Sequence, residues 1–360
     1  MAQFSTPSKV RNIIEASRQA DQPRAWNRAR INDLYNGLPP FSEEQTRENR
    51  LQTNVNFLEA SNIAHSARRQ LYNAFLKPGV YFHVAYDRGP AHMRRTWGRI
   101  ITREINRDLK RSLPFTEAMR STHAQMVLHG IGPRLWHDKT SWCPYARGIE
   151  DVLVPSGTLV SMENLQHFTV FRQYTASELY RATHKKQTDP GWNVRVAERI
   201  IAALLKEPIM AANWTEWRFP EKLAENIKAD YGYYGSDAVP TINCWDFYFQ
   251  DEDPDKGWHR KLLLDSYNPT SGSEAVLSTV SNEAKEAFLY DPKDRIEAKE
   301  LSEILHVQFA DCSNVAPFRW YSVRSCGYLN YNICHIQNRI RCRFTDAQQM
   351  ELLWFFRNVP

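Results

Sequence analysis

The sequence predicts an α+β protein: helix-rich in its N-terminal part, strand-rich in the middle and helical again at its C-terminal end. Three observations carry this reading. Residues 91–113 place Trp97, Ile101, Ile105 and Leu109 one helical turn apart. Residues 242–250 and 258–265 are two runs of strand formers around the acidic turn 251–257, a hairpin by spacing. Leu329, Ile333, Ile336, Ile340 and Phe344 recur at steps that fit one face of a helix.

Taken in order, residues 8–35 read as helix interrupted at Pro23, and Asn36-Gly37-Leu38-Pro39-Pro40 stops it. Residues 54–76 are a further helix, bounded by Pro78-Gly79. Residues 80–84 are extended. Within 91–113, Arg95, Arg99, Arg103, Arg107 and Arg111 form a second stripe, displaced from the apolar one. A basic ridge facing phosphates is one reading of it. A solvated outer face, its arginines paired with Glu104 and Asp108, is the reading taken here. Residues 115–129 form the next helix, closed by His129-Gly130-Ile131-Gly132-Pro133, and residues 135–145 are aromatic and irregular. A short strand and a turn follow over residues 151–159, and another strand at 168–172. Thr175-Ala176-Ser177-Glu178 is a capping box opening a helix through Ala182, and residues 194–205 form another. The loop 231–237 carries three tyrosines, a contact surface or an ordinary packed loop. A strand is expected at 305–310. In the terminal stretch, Thr345 and Gln348 look like a capping box, so two helices are expected to meet at a bend near Thr345. The second ends on Leu352, Leu353, Trp354, Phe355 and Phe356. Such an apolar end needs a covering surface, supplied by the remainder of a longer chain or by a neighbouring subunit. Leu352, Trp354, Phe355 and Phe356 are therefore the candidate oligomer contacts.

The 360 residues carry a net charge of +5, distributed unevenly. Residues 1–150 hold 23 basic against 13 acidic side chains, residues 151–300 hold 17 against 24, and residues 301–360 hold 6 against 4. The asymmetry means either one pole that attracts anions or solvated faces of differing composition. Eleven tryptophans and sixteen tyrosines argue for a folded chain. No apolar run is long enough for a membrane span, and the N-terminus has no apolar signal core, so neither membrane insertion nor secretion is expected. Six cysteines without a C-x-x-C pair point to thiols, mostly buried, rather than to a disulfide frame or a zinc site.

No catalytic signature is present: no H-E-x-x-H, no phosphate loop, no nucleophile elbow and no dinucleotide fingerprint. His123 and His129 are not at a helical ligand spacing, His335 stands alone, and the acidic turn lacks the EF-hand pattern. The expectation is a non-enzyme with no cofactor and no metal.

Several blocks in series resemble the portal (head-to-tail connector) proteins of short-tailed bacteriophages. They are Asp33-Leu34-Tyr35-Asn36-Gly37-Leu38-Pro39-Pro40, Asn54-Val55-Asn56-Phe57, His129-Gly130-Ile131-Gly132-Pro133, residues 151–158 followed by Thr175-Ala176-Ser177-Glu178-Leu179-Tyr180, and residues 322–328 running into the terminal helix. Their order and spacing carry the resemblance. It implies a ring, typically a dodecamer, at one vertex of the capsid of a virion assembled in the host cytoplasm. Double-stranded DNA would pass non-specifically through its channel during genome packaging and ejection. The packaging motor (terminase), then tail or adaptor proteins, would dock on it. On that pattern residues 1–240 are a wing-like α+β region, 241–325 a strand-rich wing- or clip-like region, and 326–360 a C-terminal helical segment of a chain shorter than such portals usually are. The alternatives are a nucleic-acid-processing enzyme, or a non-specific DNA-binding protein using the basic N-terminal half.

Overall fold

A computed structural model describes residues 4–48, 51, 53–75, 81, 83–85, 89–136, 143–184, 190–206, 241–251, 257–265, 286–292, 296–313 and 319–358, the side chains of 43, 75 and 350–358 excepted. The chain is α+β, with helices at both ends and sheets between them. It forms two compact units: Met1–Ala29 with Ile149–Ile304 and Phe318–Tyr321, and Arg30–Gly148 with Leu305–Pro317 and Ser322–Pro360. The first unit carries 23 basic and 28 acidic side chains and the second 23 and 13, so the excess positive charge belongs to the second.

The first unit is built on a five-stranded antiparallel sheet of β3 (Val152–Leu153), β4 (His167–Thr175), β5 (Thr241–Gln250), β6 (Trp258–Leu264) and β7 (Phe288–Tyr290), neighbours in that order. The expected hairpin is β5–β6, with Gln250 opposite Trp258. Successive side chains of β5 point to opposite faces. Ile242 and Cys244 pack against α6 (Ala176–Thr183) and α7 (Val194–Lys206) through Leu179, Ile200 and Leu204. Trp245, Phe247 and Phe249 pack against Phe4, Val10 and Ile14 at the start of α1 (Pro7–Tyr35). Covered on both faces, β5 has no polar-out alternation and is buried along nearly its whole length. The capping box at Thr175 forms as expected: its hydroxyl accepts from Glu178 N while the Glu178 carboxylate accepts from Thr175 N.

In the second unit, α2 (Glu43–Glu48), α3 (Glu59–Phe75), α4 (Ala91–Arg111), α5 (Leu113–His129) and α8 (Cys326–Asn358) accompany a three-stranded sheet, order β2 (Tyr145–Ala146), β1 (Ile131–Leu135), β8 (Leu305–Phe309). Small cores form at Ile31, Leu34, Tyr35, Ala60 and Cys334, and at Leu109, Phe115 and Met119.

Several expectations change. The first helix does not break at Pro23; α1 is continuous, and Arg28 pairs with Asp21 across the proline turn. The helix expected from 54 begins at Glu59, because Asn56 turns the preceding chain: its amide donates to Leu34 O and Leu38 O while its side-chain oxygen accepts from Leu58 N. Residues 131–135, read as a turn and an irregular start, form the central strand β1. Gly132 belongs there because a Cβ would stand 2.8 Å from Thr122 O. The bend near Thr345 is absent. The Thr345 hydroxyl donates back to Arg341 O at 2.9 Å, so it serves the interior of a continuous helix rather than capping a new one. Cys244, Cys334 and Cys342 are buried, whereas Cys143, Cys312 and Cys326 are not; no disulfide is present among the described residues. The tyrosine loop at 231–237 and residues 252–256 of the hairpin turn lie outside the described residues. No helix among the described residues is long and apolar enough to cross a membrane.

The carboxyl of Asp33 is pushed up to about 6 by burial, and its Oδ1 makes no hydrogen bond among the described residues. Between the ordinary value of 3.8 and about 6 the folded chain holds this proton while the unfolded chain has released it. Stability therefore falls as pH rises through that window and stays lowered above it. Asp33→Asn keeps the shape without the charge. Its thermal midpoint is expected to exceed that of the parent at pH 7 and to match it at pH 4; equal midpoints at both values would show that burial of Asp33 carries no cost.

Candidate functional site

Two surfaces of the second unit carry chemistry that its own packing does not use. The first is the outer face of α8. Ser325 caps the helix, its hydroxyl accepting from Tyr328 N at 2.9 Å and donating to Leu128 O at 2.6 Å. Gly327 allows this close seat, since a Cβ there would lie 2.5 Å from Leu128 O. Cys334 joins the small core of Ile31, Leu34, Tyr35 and Ala60, and from Asn338 onward the face turned inward is polar. Asn338 is 1% exposed; its Oδ1 accepts from Phe57 N and its Nδ2 donates to Asn56 Oδ1. Cys342, fully buried, donates through Sγ to Val55 O, and Asp346 accepts from Thr53 N at 2.7 Å. Residues 338, 342 and 346, one turn apart, thus satisfy an extended segment whose backbone groups have no strand partner. Arg341 pairs with Glu59 at 2.6 Å, and Arg339 and Arg343 lie over the Phe41 ring.

This seating turns the predicted apolar stripe outward. Ile333, Ile336, Ile340 and Phe344 are 58%, 55%, 60% and 62% exposed, and Leu329 is exposed beside them. The periodicity was legible in the sequence; its direction was not. The predicted contact residues, Leu352, Trp354, Phe355 and Phe356, fall within the last turns of α8, and their side chains lie outside the described residues.

The second surface is on α4. Its predicted apolar stripe is covered at Leu109 and uncovered at Trp97, where Met93 and Ile100 are also exposed. On another side, residues 81 and 83–85 run beside the helix. Tyr81 N donates to Asn106 Oδ1 and Val84 N to Thr102 Oγ1. Between this segment and the helix lies a groove of about 950 Å³, lined by His83, Val84 and Ala85 on one wall and by α4 on the other. Gly98, Thr102 and Asn106 line it from the helix, and Arg94, Arg95, Arg99, Arg103, Arg107 and Lys110 bring six cationic side chains to it. Of the predicted arginine stripe, Arg111 does not line the groove; Arg94, Lys110 and His83 join it. The expected pairing holds at one end only. Glu104 engages Arg107 and, at 3.5 Å, Arg103; Asp108 engages Arg107.

One buried charge cluster is structural. Asp246 on β5 is fully buried between Arg172 of β4 and Arg260 of β6, with Arg260 Nε at 2.7 Å. The three residues are diagonal neighbours across adjacent strands. The Arg260 guanidinium is held well above its ordinary range: burial works against the charge, and the Asp246 carboxylate outweighs it. With both carboxylate oxygens engaged and Asp246 fully buried, the cluster fixes strand register rather than presenting a reactive group. The histidines singled out in the sequence are also packed. His123 is buried, which pushes its pKa down, and His335 stacks on Tyr331.

No family model matches the chain, and no curated protein matches it.

Proposed function

We propose that this chain is a ring-forming structural subunit, the portal of a short-tailed bacteriophage, conducting double-stranded DNA and docking the packaging motor and tail proteins. The observation that carries the reading is the outward apolar face of α8. Four large side chains at helical spacing are left uncovered by a helix whose opposite face is tied down through polar groups. Exposed apolar stripes of this kind mark interaction surfaces. The occupant is a second copy of the chain. The same unit offers another, non-identical apolar face at Met93, Trp97 and Ile100 of α4. Two different faces suit a heterologous interface, the kind that closes rings when the rotation permits. The ordered blocks that resemble portal proteins supply the biological setting.

The mass of the purified assembly, with negative-stain images, tests this. The expected result is a closed ring about twelve times the mass of the chain. A single chain at all concentrations would overturn it.

A further inference from the structure

We infer that the groove between residues 83–85 and α4 binds the phosphate backbone of a nucleic acid. The inference stands on the groove itself and does not depend on ring formation. Six cationic side chains line one cavity, and no carboxylate lines it among the described residues. Among the described residues, the acids ion-paired to these cations are Glu104 and Asp108, and they hold Arg103 and Arg107. Arg94, Arg95 and Arg99 are exposed and have no ion pair among the described residues. They line the same cavity as residues 83–85 and the buried Gly98, which brings no side chain into it.

Concentrating like charge this way raises the local potential, and nothing in the packing of the described residues uses it at Arg94, Arg95 and Arg99. An elongated groove lined by a row of guanidinium groups fits a chain of regularly spaced monoanions. Successive arginines one helical turn apart lie about 6 Å from one another along the helix axis. Arginine engages phosphate oxygens through paired donors. His83, on the facing wall, adds a ring that a sugar or base edge can meet. The site reads no sequence, since no base-recognising constellation accompanies the cations.

The solvated-face reading of the stripe thus holds where Glu104 sits and fails where it does not. Glu104 divides the ridge into a neutralised end and a free end, and the free end is the phosphate site.

The test is binding of a labelled random-sequence duplex by the full chain, in whatever assembly state it adopts, across a salt series. Replacing Arg94, Arg95 and Arg99 together by Gln is expected to weaken binding at least tenfold near 0.1 M salt. It should also lower the slope of log affinity against log salt by about 2.7, one contact each. Lysines at the same three positions are expected to keep the slope. Glu104→Gln, which releases Arg103 and Arg107, is expected to tighten binding and steepen the slope. All these side chains are at least partly exposed, so thermal midpoints should not move and a folding defect is not the explanation. Unchanged affinity and slope in the triple Gln variant would overturn the proposal. So would an equal loss of binding in the triple Lys variant. Sedimentation of the same samples separates this outcome from the ring: a single chain that binds DNA through the groove keeps this inference and removes the portal reading.

Discussion

Replacing Ile336 and Ile340 together by Asp is expected to dissolve the proposed ring into folded single chains. In the free chain both side chains are already more than half exposed, so the change costs the fold little, within about 0.5 kcal/mol. In the assembly they would be covered. Each loses about 1–2 kcal/mol of remaining apolar burial. Each also places a carboxylate in a desolvated seam at several kcal/mol more. Even a total of about 4 kcal/mol per interface weakens association by a factor of about a thousand. Sedimentation velocity and circular dichroism read the two effects separately. Subunits that stay assembled would exclude the α8 stripe as the interface. Subunits that dissociate because they have unfolded would show in the dichroism, and a parallel Ile333→Asp, Phe344→Asp pair on the same stripe would then decide the matter.

Asp246→Asn is expected to be the most destabilising single change in the first unit. The carboxylate is fully buried between two arginines. Its amide isostere leaves both guanidinium groups in the sheet without their counter-charge. Breaking a buried pair by removing one partner costs about 3–5 kcal/mol, a large share of the total stability of a domain. Urea titration should show an early transition with loss of strand signal. A loss of less than about 1 kcal/mol would mean that water or rearranged partners already screen the cluster. Replacing Arg172, Asp246 and Arg260 together by apolar residues of similar volume should recover much of the loss, because the penalty comes from unbalanced charge rather than from absent attraction.

The groove and the α8 face differ in how much of each could be read from residue order. The arginine stripe on 91–113 was visible as a four-residue repeat, and Glu104 and Asp108 were visibly next to it. Which arginines those acids reach, and that residues 83–85 wall the rest into a cavity, depends on Thr102 and Asn106 binding backbone amides some twenty residues earlier. Helical spacing places side chains around an axis; it does not say what lies opposite.

By itself the sequence determined the local structure that short-range forces settle: the α+β class, the capping box at Thr175, the β5–β6 hairpin, the helix starting at Ala91, read to 113 and ending at Arg111, and the glycine that ends α5 at Gly130. In each case the deciding interactions lie within a few residues or within one hairpin. Only the tertiary structure decided what distant partners settle. Gly132 and Pro133 favour a turn, yet Ile131–Leu135 is a central strand because Leu305–Phe309 pairs along its whole length. An apolar stripe on a helix ordinarily faces a core, yet that of α8 faces outward. Asn338, Cys342 and Asp346 meet the unpaired backbone of residues 53–57, and a helix has one inner face to give.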